Sequence, residues 1–174
     1  MNYIIIYILY LMNTATLFNF NAESDISNWY VINDGVMGGV SSAIFSLNND
    51  GYGEFKGHVS LENNGGFASV RFRNQIKELT NYKKVVLKVK GDKKSYQFRI
   101  KSGKSDRHSY IGNFATTGEW QTISINFSQM YPAFRGRKLA IPNYDGKEIN
   151  EIAFLIGNKK EEDFILLIDH IYLE

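Results

Sequence analysis

Four arginines, Arg71, Arg99, Arg135 and Arg137, are the side chains of this sequence best suited to recognise a charged partner. A guanidinium group is a planar fork that can bind a carboxylate through two parallel hydrogen bonds, and arginine is enriched at protein interaction hot spots. We expect these four side chains to form a basic binding face. The alternative is that each arginine pairs with a nearby carboxylate and only braces a loop. Candidate acids for such pairing are Asp34 and Asp92.

Two glycine pairs, Gly38-Gly39 and Gly65-Gly66, stand among small polar residues, and each precedes a predicted strand. Glycine tolerates positive φ and allows close backbone approach, so at least one glycine of each pair is predicted to have φ > 0. Loops of this kind can shape a binding surface, although tight hairpin or bulge turns without a ligand explain them as well. The predicted binding residues are Asp34, Met37, Gly38, Gly39, Ser41, Asn63, Asn64, Gly65, Gly66, Arg71, Arg99, Arg135 and Arg137.

The sequence contains no recognisable catalytic motif. Cysteine is absent, which excludes disulfides and thiolate chemistry, and His58, His108 and His170 are too widely spaced for a paired metal-ligand motif. Neither a nucleophile elbow nor a phosphate-binding glycine loop occurs. We therefore predict a protein that is not an enzyme and has no cofactor and no metal site.

Composition indicates one ordinary globular domain. The chain has 174 residues, 44% of them hydrophobic and 22% charged, with a formal net charge of +2. That length matches a single domain with a substantial core. The small net charge does not by itself favour nucleic acid or a membrane surface as partner.

Alternation of apolar and polar residues predicts antiparallel strands that position the arginines. It is clearest in Val85–Lys90, Tyr96–Lys101 and Thr122–Phe127, where one face is polar. Turn signals separate these runs at the spacing of a β-sandwich. We predict an all-β, antiparallel β-sandwich spanning residues 16–174. Further predicted strands are Ala43–Leu47, Glu54–Leu61, Phe67–Phe72, Glu151–Ile156 and Phe164–Leu173.

The last predicted strand changes phase. Phe164, Leu166 and Ile168 share one face, but Ile171 and Leu173 are out of register with them. An extra residue near Asp169-His170 restores the register, which predicts a β-bulge. Asp169 is then either an acceptor for backbone N–H groups of the bulge or a ligand of a structural calcium ion.

Trp29 and Trp120 lie at the ends of predicted strands. Their size favours burial in the core with the indole N–H bonded to a backbone acceptor, and a sugar-stacking platform is the alternative.

Residues 1–15 form an N-terminal hydrophobic extension. The apolar run has the length of a signal peptide and is too short for a stable membrane span, but it lacks a basic start and a clear cleavage site. An export signal, a weak anchor and a start codon assigned too far upstream all remain open, and we favour the last. A cytoplasmic location is expected, with export or tethering through residues 1–15 as the alternative.

Several motifs occur in an order that identifies a family. They are Asp34-Gly-Val-Met-Gly-Gly-Val-Ser41, Asn63-Asn-Gly-Gly-Phe-Ala-Ser-Val-Arg71, Lys90-Gly-Asp92, Tyr96-Gln-Phe-Arg99, Glu119-Trp120, Phe134-Arg-Gly-Arg137 and Phe164-Ile-Leu-Leu-Ile-Asp-His-Ile-Tyr-Leu173. From about Thr16 to Glu174 the chain resembles the complex I intermediate-associated protein 30 family. The resemblance implies a galactose-binding-like sandwich of jelly-roll type and, in mitochondrial relatives, a role in assembling NADH:ubiquinone oxidoreductase. It provides no catalytic residue to transfer.

The leading functional prediction is a protein-binding domain similar to complex I assembly factors, whose clients are respiratory-complex subunits or assembly intermediates. The alternative is a carbohydrate- or small-ligand-binding module of the same fold. A third hypothesis is single-stranded nucleic-acid binding by the basic stretch Lys83–Arg107. We do not expect it, because Tyr96 falls on the inward phase of its strand.

Overall fold

The computed structural model of this protein describes residues 14–174. The hypotheses of a signal, an anchor or a wrong start in residues 1–15 depend on residues 1–13, which lie outside the described part of the chain. No helix within residues 14–174 has the length and apolar character needed to cross a membrane.

Two antiparallel sheets form a sandwich, which confirms the predicted fold class. The strands are β1 (Ala15–Asn19), β2 (Trp29–Asn33), β3 (Ser42–Leu47), β4 (Gly53–Val59), β5 (Ala68–Lys77), β6 (Lys84–Lys90), β7 (Ser95–Lys101), β8 (Ser109–Ala115), β9 (Trp120–Asn126), β10 (Tyr131–Phe134), β11 (Arg137–Lys138), β12 (Glu148–Ile156) and β13 (Glu162–Leu173). The six-stranded sheet has the order β3-β4-β13-β6-β9, with β1 also paired to β13. The seven-stranded sheet has the order β11-β10-β8-β7-β12-β5-β2.

The core lies between the sheets and is built from the predicted alternating positions. Leu87 and Val89 from one sheet, and Phe98 and Phe154 from the other, are completely buried. Burying such side chains contributes roughly 1.5–3 kcal/mol each before chain entropy is counted. The remaining inward positions of the predicted strands include Val85, Ile100, Ile125, Leu166 and Ile168, which are buried, and Ile123, which is partly buried.

The predicted bulge in β13 is confirmed. Its pairing with β6 shifts register between Ile168 and His170, and the backbone N–H of Phe20 donates to the carbonyl of Asp169 at 2.8 Å. The Asp169 carboxylate lies 3.3 Å from Nδ1 of His170. Among residues 14–174, no three His, Asp or Glu side chains are grouped so that they could hold a metal ion.

Two strands of the seven-stranded sheet, the edge strand β2 and the inner strand β8, have no clear alternation in the sequence. In β8 the inward residues are Tyr110, Gly112 and Phe114, and a side chain at Gly112 would meet Ile125 of the opposite sheet at 2.4 Å. The sheets are too close there for an apolar side chain, so the pattern is interrupted. On the outward side of β8, Ile111 is buried as well.

The predicted burial is confirmed for Trp29 and wrong for Trp120, and the predicted indole hydrogen bond of Trp29 is not formed in the described chain. Trp29 is buried and stacks on Phe72 with ring centroids 4.9 Å apart, although within the described chain its indole N–H has no hydrogen-bond partner. Trp120 lies on the edge strand β9, is only partly buried, and packs against Tyr52 at 4.6 Å. An edge strand leaves one side of a large ring without a neighbouring strand to cover it.

Candidate binding face

One row of residues crosses the outward face of the seven-stranded sheet, with one residue from each of six strands. These residues face away from the core because their neighbours along each strand, such as Phe72 and Phe98, point into it. We call this row and the outward residues beside it the binding face. From the β2 side the row is Tyr30, Arg71, Ala153, Arg99, Ile111 and Tyr131.

Arg71 is neutralised within the chain by Glu151. Its Nη1 donates to the Glu151 carboxylate at 3.2 Å, and the Tyr30 hydroxyl donates to the same carboxylate. Arg73 donates from Nε to the Tyr30 hydroxyl at 3.0 Å, and its guanidinium lies 4.7 Å from the centre of the Tyr30 ring. Burial and the adjacent Glu151 raise the pKa of Tyr30, so its hydroxyl remains protonated and can donate. This network holds both Glu151 oxygens and fixes one end of the row.

Arg99 differs from Arg71 because no carboxylate within residues 14–174 forms an ion pair with it. Nε and Nη2 donate to Oε1 of Gln97 at 3.0 and 2.6 Å, which orients the guanidinium without neutralising it. Burial, and then the positive charge of Arg71, lower the pKa of Arg99 to about 10. The group is therefore still cationic at neutral pH, but its charge is destabilised by its surroundings.

A shallow depression separates the two arginines. Its floor is Ala153, which pairs with Arg71 on one side and Arg99 on the other and places only a methyl group between them. Other residues around the depression are Ser69, Lys101, Ser109, Glu151, Ile152 and Leu155.

The binding face is electropositive. The row next to Ala153 consists of Arg73, Glu151 and Lys101, so Arg71, Arg73, Arg99 and Lys101 accompany one carboxylate. A concentration of like charge in a depression attracts and orients anionic groups.

The predicted glycine loops meet at a buried acid, Asp34. Its carboxylate accepts hydrogen bonds from the Ser41 hydroxyl at 2.5 Å and from the backbone N–H groups of Ser41, Gly66 and Phe67 at 3.1, 2.6 and 3.2 Å. Burial opposes ionisation, but these donors outweigh it and lower the pKa of Asp34 below its usual value. Asp34 is thus an internal brace between two loops. Its hydrogen-bond donors within residues 14–174 do not include an arginine.

Each glycine pair has two structural tasks. Gly38 has φ +89° and Gly66 has φ +133°, which confirms the prediction of positive φ in both pairs. The other two glycines make room for Asp34: an added Cβ would lie 2.4 Å from its carboxyl group at Gly39 and 2.7 Å from it at Gly65. Both pairs are therefore required by the backbone around Asp34.

The remaining loop residues surround this brace. The Ser41 hydroxyl also contacts Ser60, whose backbone N–H donates to it at 2.9 Å. Asn63 and Asn64 are exposed and have positive φ of 54° and 62°. The backbone of Met37 ends a short 3-10 helix, while its side chain lies outside what the structure describes.

Arg135 and Arg137 lie at the opposite edge of the seven-stranded sheet, Arg135 on the turn after β10 and Arg137 as the first residue of β11. Both are exposed, and the Arg135 guanidinium is 5.4 Å from the centre of the Phe134 ring. The structure thus brings Arg71 and Arg99 together in one depression and the glycine loops together around Asp34. It does not gather all four arginines beside the glycine loops.

Asp34 and Asp92, the acids proposed as arginine partners, bond to other groups. Asp92 bonds to the Lys94 ammonium at 2.6 Å and accepts from the Tyr96 hydroxyl at 2.8 Å. The actual partner of Arg71 is Glu151, which sequence reasoning did not select. The feature of the sequence that could have identified Glu151 is its carboxylate at the start of an otherwise apolar predicted strand, Glu151–Ile156. No sequence signal identifies Tyr30 or Tyr131.

Comparisons with known proteins identify relatives of this chain. The model of the family named Complex I intermediate-associated protein 30 matches residues 18–168. The mitochondrial Complex I intermediate-associated protein 30 of Drosophila melanogaster is 28% identical over 189 residues, covering 92% of this chain. That alignment covers 63% of the Drosophila protein.

Solved structures with the same fold include carbohydrate-binding modules. The family 11 module of the cellulosomal cellulase Lic26A-Cel5E from Clostridium thermocellum has a TM-score of 0.69 and 18% identity, covering 94% of this chain and 95% of the module. A family 29 module from Piromyces equi has a TM-score of 0.52 and 8% identity, covering 92% and 89%. At these identities the likeness concerns the fold alone.

Proposed function

Because this chain belongs to the complex I intermediate-associated protein 30 family, we propose that it is a non-enzymatic, assembly-factor-like domain that binds a protein client through its binding face. The proposed client is a subunit or assembly intermediate of a respiratory complex, in line with the name of the Drosophila relative. The observation that carries the proposal is Arg99, a cation on the outward face that has no ionic partner within residues 14–174.

The dimensions of the face suit an extended peptide segment. Tyr30 and Tyr131 are five inter-strand steps apart, or about 24 Å at roughly 4.8 Å per step. An extended segment of about seven residues, at ~3.3 Å per residue, has that length. Between the tyrosines the row alternates charged and apolar groups, and Tyr and Arg are the side chains that most often dominate protein interfaces.

A binding role is favoured over a catalytic one by the state of Glu151. Its two carboxylate oxygens are occupied by Arg71 and by the Tyr30 hydroxyl, so it lacks the freedom of a general base. Gln97 is similarly engaged with Arg99.

Carbohydrate binding is the second candidate, because the similar folds include carbohydrate-binding modules and the row has a tyrosine at each end. The rings are poorly placed to stack on a sugar, however. A guanidinium, from Arg73, covers the Tyr30 ring at 4.7 Å, and the Lys138 ammonium lies 5.5 Å from the Tyr131 ring. A sugar would have to displace these cations, whereas a protein client can use them.

Affinity capture from the native cell tests the proposal. The full-length wild type is compared with Ala153→Leu, which fills the depression, and with the exposed-turn variant Arg137→Gln as matched control. We expect respiratory-complex subunits to co-purify with wild type and with Arg137→Gln, and to be depleted at least tenfold with Ala153→Leu. Equal recovery with all three folded proteins would remove the binding face from the mechanism.

A further inference from the structure

We infer that the depression over Ala153 binds a carboxylate, held between the guanidinium groups of Arg71 and Arg99. The inference rests on the proposed protein-binding function and specifies its chemistry: the client presents an aspartate or glutamate side chain at this point. The binding partner is therefore an acidic segment rather than an apolar one.

Hydrogen-bond donors remain available at the depression. Within the described residues, Nη1 of Arg99 makes no hydrogen bond, because Gln97 takes only Nε and Nη2. Nη2 of Arg71 likewise has no partner there, while Nη1 binds Glu151 and Nε approaches the Ser69 hydroxyl at 3.5 Å. The two unused groups belong to residues that flank the same alanine.

The electrostatics favour an anion at this position. Arg71 and Arg99 repel each other in a partly desolvated place, and Glu151 compensates only the first of them. A carboxylate from outside would neutralise Arg99 and accept from both guanidinium groups. Bonds between arginine and carboxylate are charge-assisted and about twice as strong as neutral hydrogen bonds.

The geometry allows such a group to enter. Two inter-strand steps, about 10 Å in all, separate the Cα atoms of Arg71 and Arg99. Ala153 is buried and places only a methyl group between the arginines, and the depression over it, about 10 Å³ in volume, can be capped by a carboxylate presented at its mouth by a peptide lying along the row. Lys101 and Ser109 line the same depression and add a third cation and a hydroxyl at its rim.

Nuclear magnetic resonance titration of the ¹⁵N-labelled full chain tests this inference directly. The probe is the blocked peptide acetyl-Gly-Glu-Gly-Glu-Gly-amide, and its control is the same peptide with glutamine in place of glutamate. We expect the glutamate peptide to shift the side-chain Nε–H signals of Arg71 and Arg99 and the amide of Ala153 in a saturable way. The glutamine peptide should leave them in place.

Variants distinguish a specific site from general attraction to a basic surface. Arg99→Gln should weaken binding of the glutamate peptide at least tenfold, and Arg99→Lys should weaken it less, because a lysine retains charge but not the planar fork. The matched control Arg137→Gln should bind like wild type. An equal loss with Arg137→Gln, or equal shifts with the glutamine peptide, would overturn the carboxylate site.

The source of the carboxylate is tested with an oligogalacturonate. If it shifts these signals and the glutamate peptide does not, an acidic saccharide replaces the protein client and the inference fails. In the affinity capture described above, client retention by Arg99→Gln together with loss by Ala153→Leu would refute the carboxylate site while leaving the protein-binding function standing. If both variants still capture the client, the proposed function itself is refuted.

Discussion

The carboxylate of Asp34 accepts a hydrogen bond of 2.6 Å from the backbone N–H of Gly66, which is 32 residues further along the chain. Asp34 follows β2, and Gly66 precedes β5, the strand that pairs with β2. This contact closes the end of the sheet beside the binding face. Of the predicted loop residues, Ser41 and Gly66 therefore bond to Asp34, and Gly39 and Gly65 leave room for it.

Asp34→Asn should lower the free energy of unfolding by about 3 kcal/mol, because an amide removes the charge and turns an NH₂ group toward backbone donors that need an acceptor. Urea denaturation measures the effect, with Glu62→Gln, an exposed residue in the loop before β5, as control. The pKa of Asp34 is lowered on folding, so its contribution is present above pH 3.8 and is lost as pH falls through the lower folded value. An unchanged midpoint for Asp34→Asn would contradict the brace.

Gly39→Ala should destabilise the protein by about 2–3 kcal/mol, since the new methyl group would lie 2.4 Å from the Asp34 carboxyl group and something must move. Gly35→Ala is the matched control in the same turn, where an added Cβ meets nothing within 4 Å. Thermal unfolding of the two variants gives the comparison. If Gly39→Ala and Gly35→Ala are equally stable, the loop accommodates a side chain beside Asp34.

Gly38→Val should lower the free energy of unfolding by about 1–3 kcal/mol for a different reason, which is backbone strain at a positive φ. An added Cβ at Gly38 has open space, so the cost arises from its φ of +89° and not from a clash. Gly38→Asn should be milder, because asparagine tolerates the left-handed region better than valine does. Chemical denaturation of both variants measures the difference, and a valine variant as stable as wild type would exclude strain here.

Arg99→Gln should raise Tm by about 2 °C, because it removes a charge that the fold destabilises. The pKa of Arg99 is lowered to about 10 on folding, so the unfolded chain binds more protons above that pH and wild-type stability rises toward pH 12. Arg71→Gln is the contrasting variant and should lower Tm, since Glu151 loses its ion pair. If both variants shift Tm in the same direction, the fold does not destabilise the charge of Arg99.

His58 should titrate above the usual value of 6.5. Hydrogen bonds to Asp163 at 2.8 Å and Glu161 at 3.3 Å favour its protonated form and raise its pKa. Its stabilising effect is full below pH 6.5 and is lost as pH rises through the folded pKa. Histidine ring signals measured against pH in wild type and Asp163→Asn test this, and identical titrations would exclude the pair.

The sequence by itself determined the regularly alternating strands and their inward residues. Period-two alternation in Val85–Lys90 and Tyr96–Lys101 specifies which side chains are buried, because one strand face must pack against the other sheet. The phase change after Ile168 similarly required a bulge, since Ile171 could not otherwise return to the core. Local backbone rules also predicted a positive φ in each glycine pair, and the structure shows it at Gly38 and Gly66.

Tertiary structure alone decided which outward residues became neighbours. Arg71, Ala153 and Arg99 lie on strands distant in the chain, and antiparallel register places them side by side. Register depends on pairing across the whole sheet, which periodicity within one strand does not reveal. For the same reason the pairing of Arg71 with Glu151, and the ionic isolation of Arg99 within the described chain, could be seen only once the sheet was assembled.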